Sequence, residues 1–333
     1  MNDRPLVTFA LLAYNQECFI REAVEGAFSQ TYSPLEIILS DDHSSDLTFD
    51  IMREMASQYT GPHEVVVNRN DANLGIGGHV NRVMEIARGE LIVGAAGDDV
   101  SLPDRCEQLI EYWQETGSKL KSIYSDAILV DKIGQSIGFA TGPPFISSLN
   151  EMLRHLMPGV KGCTHAWTRD VFTRFGPILP DTVYEDRVIP LRSYLSGGIG
   201  YCPKQLVRYR IHDSNISRYH LTSKDTILRK SIELQRRHLN VYHNYIHDLT
   251  CAYRLGLIDK TNLHRTLTTL ERYIDLFDDM IRFLEGGYIA KLDLMLKHST
   301  RNPVQVAKWA FYLLCPFIYR WMLSKKIVGW RRA

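Results

Sequence analysis

Three pairs of neighbouring carboxylates stand out in the chain: Asp41-Asp42, Asp98-Asp99 and Glu185-Asp186. Adjacent acids in a crevice repel each other unless a cation or hydrogen-bond donors neutralise them. Hard divalent ions such as Mn2+ and Mg2+ take oxygen ligands and bridge a carboxylate to a diphosphate, so a metal-diphosphate site is the economical reading of Asp98-Asp99. The small run Gly94-Ala95-Ala96-Gly97 before it would let a bulky ligand approach the backbone. At Asp41-Asp42 a carboxylate can accept hydrogen bonds from a nucleobase N–H or a ribose hydroxyl. At Glu185-Asp186, within the stretch 181–187, one carboxylate can act as general base. Any single pair reads equally well as a helix cap or a turn. Three of them punctuating apolar elements point to one reaction centre.

The elements that must position these pairs follow from hydrophobic periodicity. Residues 6–13 are a nearly continuous apolar run, followed by Tyr14-Asn15 and a helical pattern from Phe19 to Gln30. Glu36 to Ser40 repeats the theme, ending in Asp41-Asp42 and leading into a helix through Met55. A third unit has a strand near Glu64 to Asn68, a loop from Asn73 to Gly78, a helix to Ala87, and a strand Glu90 to Ala95 that stops at Gly97-Asp98-Asp99. Alternation at this spacing predicts an α/β fold with a doubly wound, mostly parallel sheet. Ligands bind such sheets beyond the carboxyl ends of the strands, where Tyr14-Asn15, Asp41-Asp42 and Asp98-Asp99 all fall. From 101 to 218 the pattern is irregular, with a hairpin expected over Ser122 to Gly138.

Composition narrows the class. Of 333 residues 45% are hydrophobic, enough for a sizeable core, and 39 basic against 38 acidic side chains give no global attraction to nucleic acid. The cysteines at 18, 106, 163, 202, 251 and 315 form no C-x-x-C pair and read as reduced thiols of a cytoplasmic protein. The run Val7 to Ala13 is too short for a signal peptide core or a membrane span and reads as a buried strand.

Beyond 220 the texture changes. Leu228, Ile232, Leu239, Tyr242, Ile246, Leu249 and Tyr253, with polar Gln235 occupying one place, then Leu263, Leu267, Leu270, Ile274, Phe277, Ile281 and Leu284 without a gap, recur at three- and four-residue steps. Two antiparallel helices joined near Gly256 to Lys260 satisfy both stripes, either packed on the catalytic domain or forming a homodimer seam. After Asp293 no acidic residue follows, while basic residues and the aromatic stretch Trp309 to Tyr319 do. Such a tail is either an amphipathic anchor for peripheral contact with the inner face of an anionic membrane or a packing helix with a solvated basic end. The expected organisation is 1–220 catalytic, with halves 1–100 for the donor and 101–220 for the acceptor, then a hairpin at 221–298 and a tail at 299–333.

Taken in order, several motifs resemble the family 2 glycosyltransferases of GT-A fold, over about two thirds of the chain. They are Val7 to Asn15, Ser29-Gln30-Thr31-Tyr32, Glu36 to Asp46, Asn73-Leu74-Gly75 with Asn81, and Ala87-Arg88-Gly89-Glu90. Gly97-Asp98-Asp99, Leu102-Pro103-Asp104-Arg105, Glu185-Asp186 and Tyr209-Arg210-Ile211-His212 with Asn215 and Ser217 complete the set. The resemblance implies that Ala13, Tyr14 and Asn15 line the nucleotide pocket with Asn73 and Gly75, and that Asp42 hydrogen-bonds the base. It implies that Asp98 and Asp99 between them hold the ribose and a divalent metal, Asp99 coordinating the diphosphate. His212 lies near the metal, and Asp186, beside Glu185, deprotonates the acceptor. The implied substrates are a nucleotide-diphosphate sugar donor and a saccharide or lipid-linked acceptor, as in surface polysaccharide or glycolipid assembly. One in-line displacement inverts the anomeric centre, whereas retention would need a second carboxylate as nucleophile.

Two departures qualify the match. Ala96 stands where many members carry aspartate, and His79-Val80 where many carry an arginine before Asn81. A dehydrogenase is set aside because Gly75-Ile76-Gly77-Gly78-His79-Val80 lacks the third glycine of the dinucleotide fingerprint and sits in the third unit. The remaining alternative is a catalytically inactive binding or scaffold subunit of the same fold.

Overall fold

The structure, a computed structural model, describes residues 4–142, 148–155, 160–212, 215, 224–286 and 293–294. The expected tail at 299–333 lies outside them. In chain order the elements are β1 (Val7–Ala13), α1 (Ile20–Phe28), β2 (Leu35–Asp41), α2 (Thr48–Gln58), β3 (Glu64–Arg69), α3 (Gly75–Ile86) and β4 (Leu91–Ala96). Then come β5 (Val100–Ser101), α4 (Arg105–Glu115), β6 (Ser122–Val130), β7 (Ser136–Ala140), α5 (Leu149–His155), a 3-10 turn at Gly162–Thr164 and β8 (His165–Thr168). The last are α6 (Asp170–Phe175), α7 (Glu185–Ser196), β9 (Ile199–Arg210), α8 (Lys224–Arg254) and α9 (Lys260–Glu285).

The sheet runs β3-β2-β1-β4-β8-β6-β9-β5, with β7 paired to β6. Strands β3, β2, β1 and β4 are parallel, as the alternating pattern predicts. The second half is mixed: β8 enters antiparallel between β4 and β6, and β6 and β9 are parallel to each other. Strand β1 is apolar at nearly every position because both faces are covered. Val7, Phe9, Leu11 and Ala13 face a core with α1 and α4, while Ala10 faces Val80 and Val83 of α3 and Trp167.

One acid inside the sheet is structural. Glu36 on β2 accepts hydrogen bonds from Thr8 Oγ1 (2.7 Å), Arg88 N–H (3.0 Å) and Arg88 Nε (2.6 Å). Gly89 lies so close to β1 that a Cβ there would come within 2.4 Å of the Thr8 nitrogen. The Arg88-Gly89 motif therefore locks β1, β2 and the entry to β4.

The chain forms two compact units, Met1–His212 with Asn240–Leu267, and Asp213–Leu239 with Thr268–Ala333. Helices α8 and α9 occupy the interval expected for a helical hairpin, and each contributes to both units. In the first unit the fully buried Arg192 of α7 forms a two-pronged ion pair with Asp248 of α8, Nε to Oδ2 at 2.8 Å and Nη2 to Oδ1 at 3.0 Å. In the second, Arg236 pairs with Glu285 and the His238 ring meets Phe277 edge-on. No helix among the described residues is long and apolar enough to cross a membrane.

Candidate active site

The carboxyl ends of β1, β2 and β4 meet side by side. Asp42 N–H donates to the Ala13 carbonyl (3.0 Å) and Gly97 N–H to the Leu12 carbonyl (3.0 Å). A Cβ on Gly97 would lie 2.9 Å from that of Ala13, so glycine lets the two chain ends approach. Asn15, at φ 51°, turns the chain out of β1: its N–H donates to Ser44 Oγ (2.8 Å) and its Oδ1 accepts from Ser45 N–H (2.9 Å). Tyr14 is 47% exposed at the rim.

Asp42 is buried and held from one side. Its Oδ1 accepts from Asn70 Nδ2 (2.8 Å) and Leu74 N–H (2.9 Å). Beneath it Asn68 Nδ2 donates to Asn70 Oδ1 and to Ser40 Oγ, which also meets His79 Nε2 at 2.7 Å. Burial lowers the His79 pKa, keeping the ring neutral within this network. Asn73 Oδ1 accepts the Gly75 N–H (2.9 Å), and Gly75 starts α3 at φ 68°, a left-handed conformation suited to glycine.

Asp98 and Asp99 face different surroundings. Asp98 Oδ2 lies 2.9 Å from His212 Nε2, and the ring of His212 packs on Phe19 with centroids 4.7 Å apart. Asp99 is turned inward, 4% exposed, its Oδ1 accepting the Arg210 N–H (2.8 Å) while the Cys163 thiol bonds the same carboxyl. Burial, added to by the Asp98 charge, holds the Asp99 pKa well above the carboxylate range. The Asp99 carboxyl is thus engaged by a backbone N–H and a thiol, whereas Asp98 meets the His212 ring. Arg210 reinforces the arrangement, with Nε on the Asp98 carbonyl (3.1 Å) and Nη2 on Glu22 (2.7 Å).

The third pair opens α7, where the helix N-terminus favours negative charge. A Cβ on Gly162 would sit 2.4 Å from Glu185 Oε1 and 4.0 Å from the Asp186 Cβ. Its chain neighbour, Cys163, touches Asp99. This single turn therefore lies beside both acid pairs. Burial raises both pKa values, Glu185 further because Asp186 repels it, to about 8; Arg187 and Lys161 restrain Asp186, which reaches about 6. Asp186 Oδ1 is buried with no hydrogen-bond partner.

Residues 8–153 match the family model described as glycosyl transferase family 2. That match spans less than half of the chain. An uncharacterised glycosyltransferase of Nostoc sp. is 25% identical over 76% of this chain and 78% of its own length. Among solved structures, Staphylococcus aureus TarS 1–349 in complex with UDP-GlcNAc has a TM-score of 0.55 at 16% identity, covering 97% of this chain and 92% of that one. A mannosyltransferase from Pyrobaculum calidifontis in complex with GDP-Man and Mn2+ has a TM-score of 0.53 at 14% identity, covering 100% and 89%. The structural likenesses show a GT-A fold, and the match over 8–153 together with the glycosyltransferase relatives supports glycosyltransferase activity. Asp98 and His212 offer an oxygen and a nitrogen donor side by side. Among the described residues no three metal-binding side chains cluster. That donor set fits an ion completed by substrate phosphate oxygens, the way Mg2+ is commonly bound. Sequence reasoning missed Cys163 and Arg210 as supports: a lone cysteine and an arginine inside a strand carry no periodic signal.

Proposed function

We propose that this chain is a metal-dependent inverting glycosyltransferase, moving a sugar from a nucleotide diphosphate to a hydroxyl of a saccharide or lipid-linked acceptor. The observation that carries the reading is the Gly162–Thr164 turn, which joins the Asp98-Asp99 strand end to the Glu185-Asp186 helix start. Asp186 accepts the proton of the acceptor hydroxyl at Oδ1. The oxygen then bonds the anomeric carbon as the bond to the diphosphate breaks on the opposite face, and one displacement inverts the centre. A divalent Mn2+ or Mg2+ held by Asp98 and His212 would supply positive charge against the departing diphosphate. Glu185, pushed further to about 8, is mostly protonated at neutral pH and does not compete as base.

Asp42 orients the nucleobase. Both lone pairs of Oδ1 are taken, leaving Oδ2 to accept from a nucleobase N–H. The basic aromatic tail supports work on surface polysaccharide or glycolipid at a membrane. A binding screen of uridine, thymidine and guanosine diphosphate sugars with and without Mn2+ tests the donor site. Asp98→Ala should abolish the Mn2+-dependent gain for the nucleotide that binds best; an undiminished gain removes Asp98 as ligand. Asp186→Asn should spare donor binding and cut transfer about 100- to 10,000-fold. Near-normal turnover in that variant points to another base, and donor binding without any turnover in the wild type points to a scaffold.

A further inference from the structure

The loop 176–184 that leads into Glu185-Asp186 is gripped from two sides. On one, Gly77 N–H of α3 donates to the Thr182 carbonyl (3.0 Å), and Asn81 exchanges two hydrogen bonds with Ile178, each 2.8 Å. On the other lies α8, beyond the family match. Asn244, fully buried, accepts the Leu179 N–H at Oδ1 (2.9 Å) and donates through Nδ2 to Thr182 Oγ1 (2.6 Å) and to the Asn240 carbonyl (2.8 Å). Thr182 passes its own hydroxyl proton to the Leu179 carbonyl (2.8 Å). Asn240 Nδ2 donates to the carbonyl of Asp181, which sits at φ 61°, uncommon for a residue with a side chain. An apolar residue would fill the Asn244 site as well for packing alone. Its amide instead serves the loop three residues ahead of the acid pair.

We propose that Asn244 is a positioning residue for the base: it fixes the loop that aims Asp186, so α8 is part of the catalytic apparatus. The proposal rests on the reading of Asp186 given above. Misplacing a reacting group by an ångström can cost about 100-fold in rate. In the full-length chain, Asn244→Leu should lower kcat by about 10- to 100-fold while the Kd for the best-bound nucleotide diphosphate stays within about twofold. Asn240→Ala, at a partly exposed position where folding is tolerant, should do the same to a smaller degree. Hydrogen exchange should accelerate across 179–187 in both variants and stay unchanged in α3. Wild-type kcat in either folded variant, or unchanged exchange across 179–187, overturns the proposal. A loss of nucleotide affinity equal to the loss of kcat overturns it too, since that marks a general structural role. The Asp186→Asn control separates the two ideas: turnover surviving there defeats the base assignment, whereas turnover lost there with Asn244→Leu fully active defeats only the positioning claim.

Discussion

As the proposed base, Asp186 would set the pH dependence of the reaction. It must be ionised to take a proton, and burial pushes its pKa up to about 6 against the pull of Arg187 and Lys161, with Glu185 protonated beside it. Transfer should therefore fall as pH drops through about 6, where an exposed aspartate would hold activity down to about 4. A kcat profile at saturating donor checks this, and one that is flat from pH 8 to about 5 would remove Asp186 from the role. That the three acid pairs stand at the ends of elements was legible from the sequence, because each closes or opens one. Which neighbours each acid meets was not: adjacent residues leave the backbone in different directions, and only the fold sets Cys163 and the Arg210 N–H against Asp99 and the His212 ring against Asp98.

The parallel strands were readable because each centres on a short apolar run, with β1, β2 and β4 buried along nearly their whole length. Strand β8 was not: at four residues, His165–Thr168, it is too short to carry a period, and its antiparallel entry turns the second half of the sheet mixed. The hairpin of β6 and β7 was expected from its turn residues, and Gly134 at φ 83° makes that turn. The Arg88-Gly89 corner is where the strands depend most on a missing side chain. Gly89→Ala would drive a Cβ into the backbone of β1, with no flexible group to yield. It should destabilise the protein by about 1–3 kcal/mol, read as a lower denaturation midpoint, while nucleotide affinity of the folded protein is retained. A midpoint equal to wild type would mean that the corner relaxes more freely than its geometry implies.

The helical extension was legible as a pair of apolar stripes, but the ties of α8 to α7 and the loop before it were not, because Asn244 and Asp248 are polar residues four apart that lie outside the stripe of Tyr242, Ile246, Leu249 and Tyr253. The basic tail rests on composition alone, so its role is a matter for solution work. Vesicles of anionic lipid should retain the full chain and lose a variant lacking 299–333. Equal partitioning of the two would end the membrane assignment. Asp248 also has a bearing on how this enzyme can be cut. A fragment ended at 220, where composition suggests a boundary, would leave the Arg192 guanidinium in the interior with its counter-charge amputated, a loss of about 3–5 kcal/mol. Chimeras that exchange sugar specificity between relatives must therefore be spliced downstream of α8, carrying that helix along as cargo.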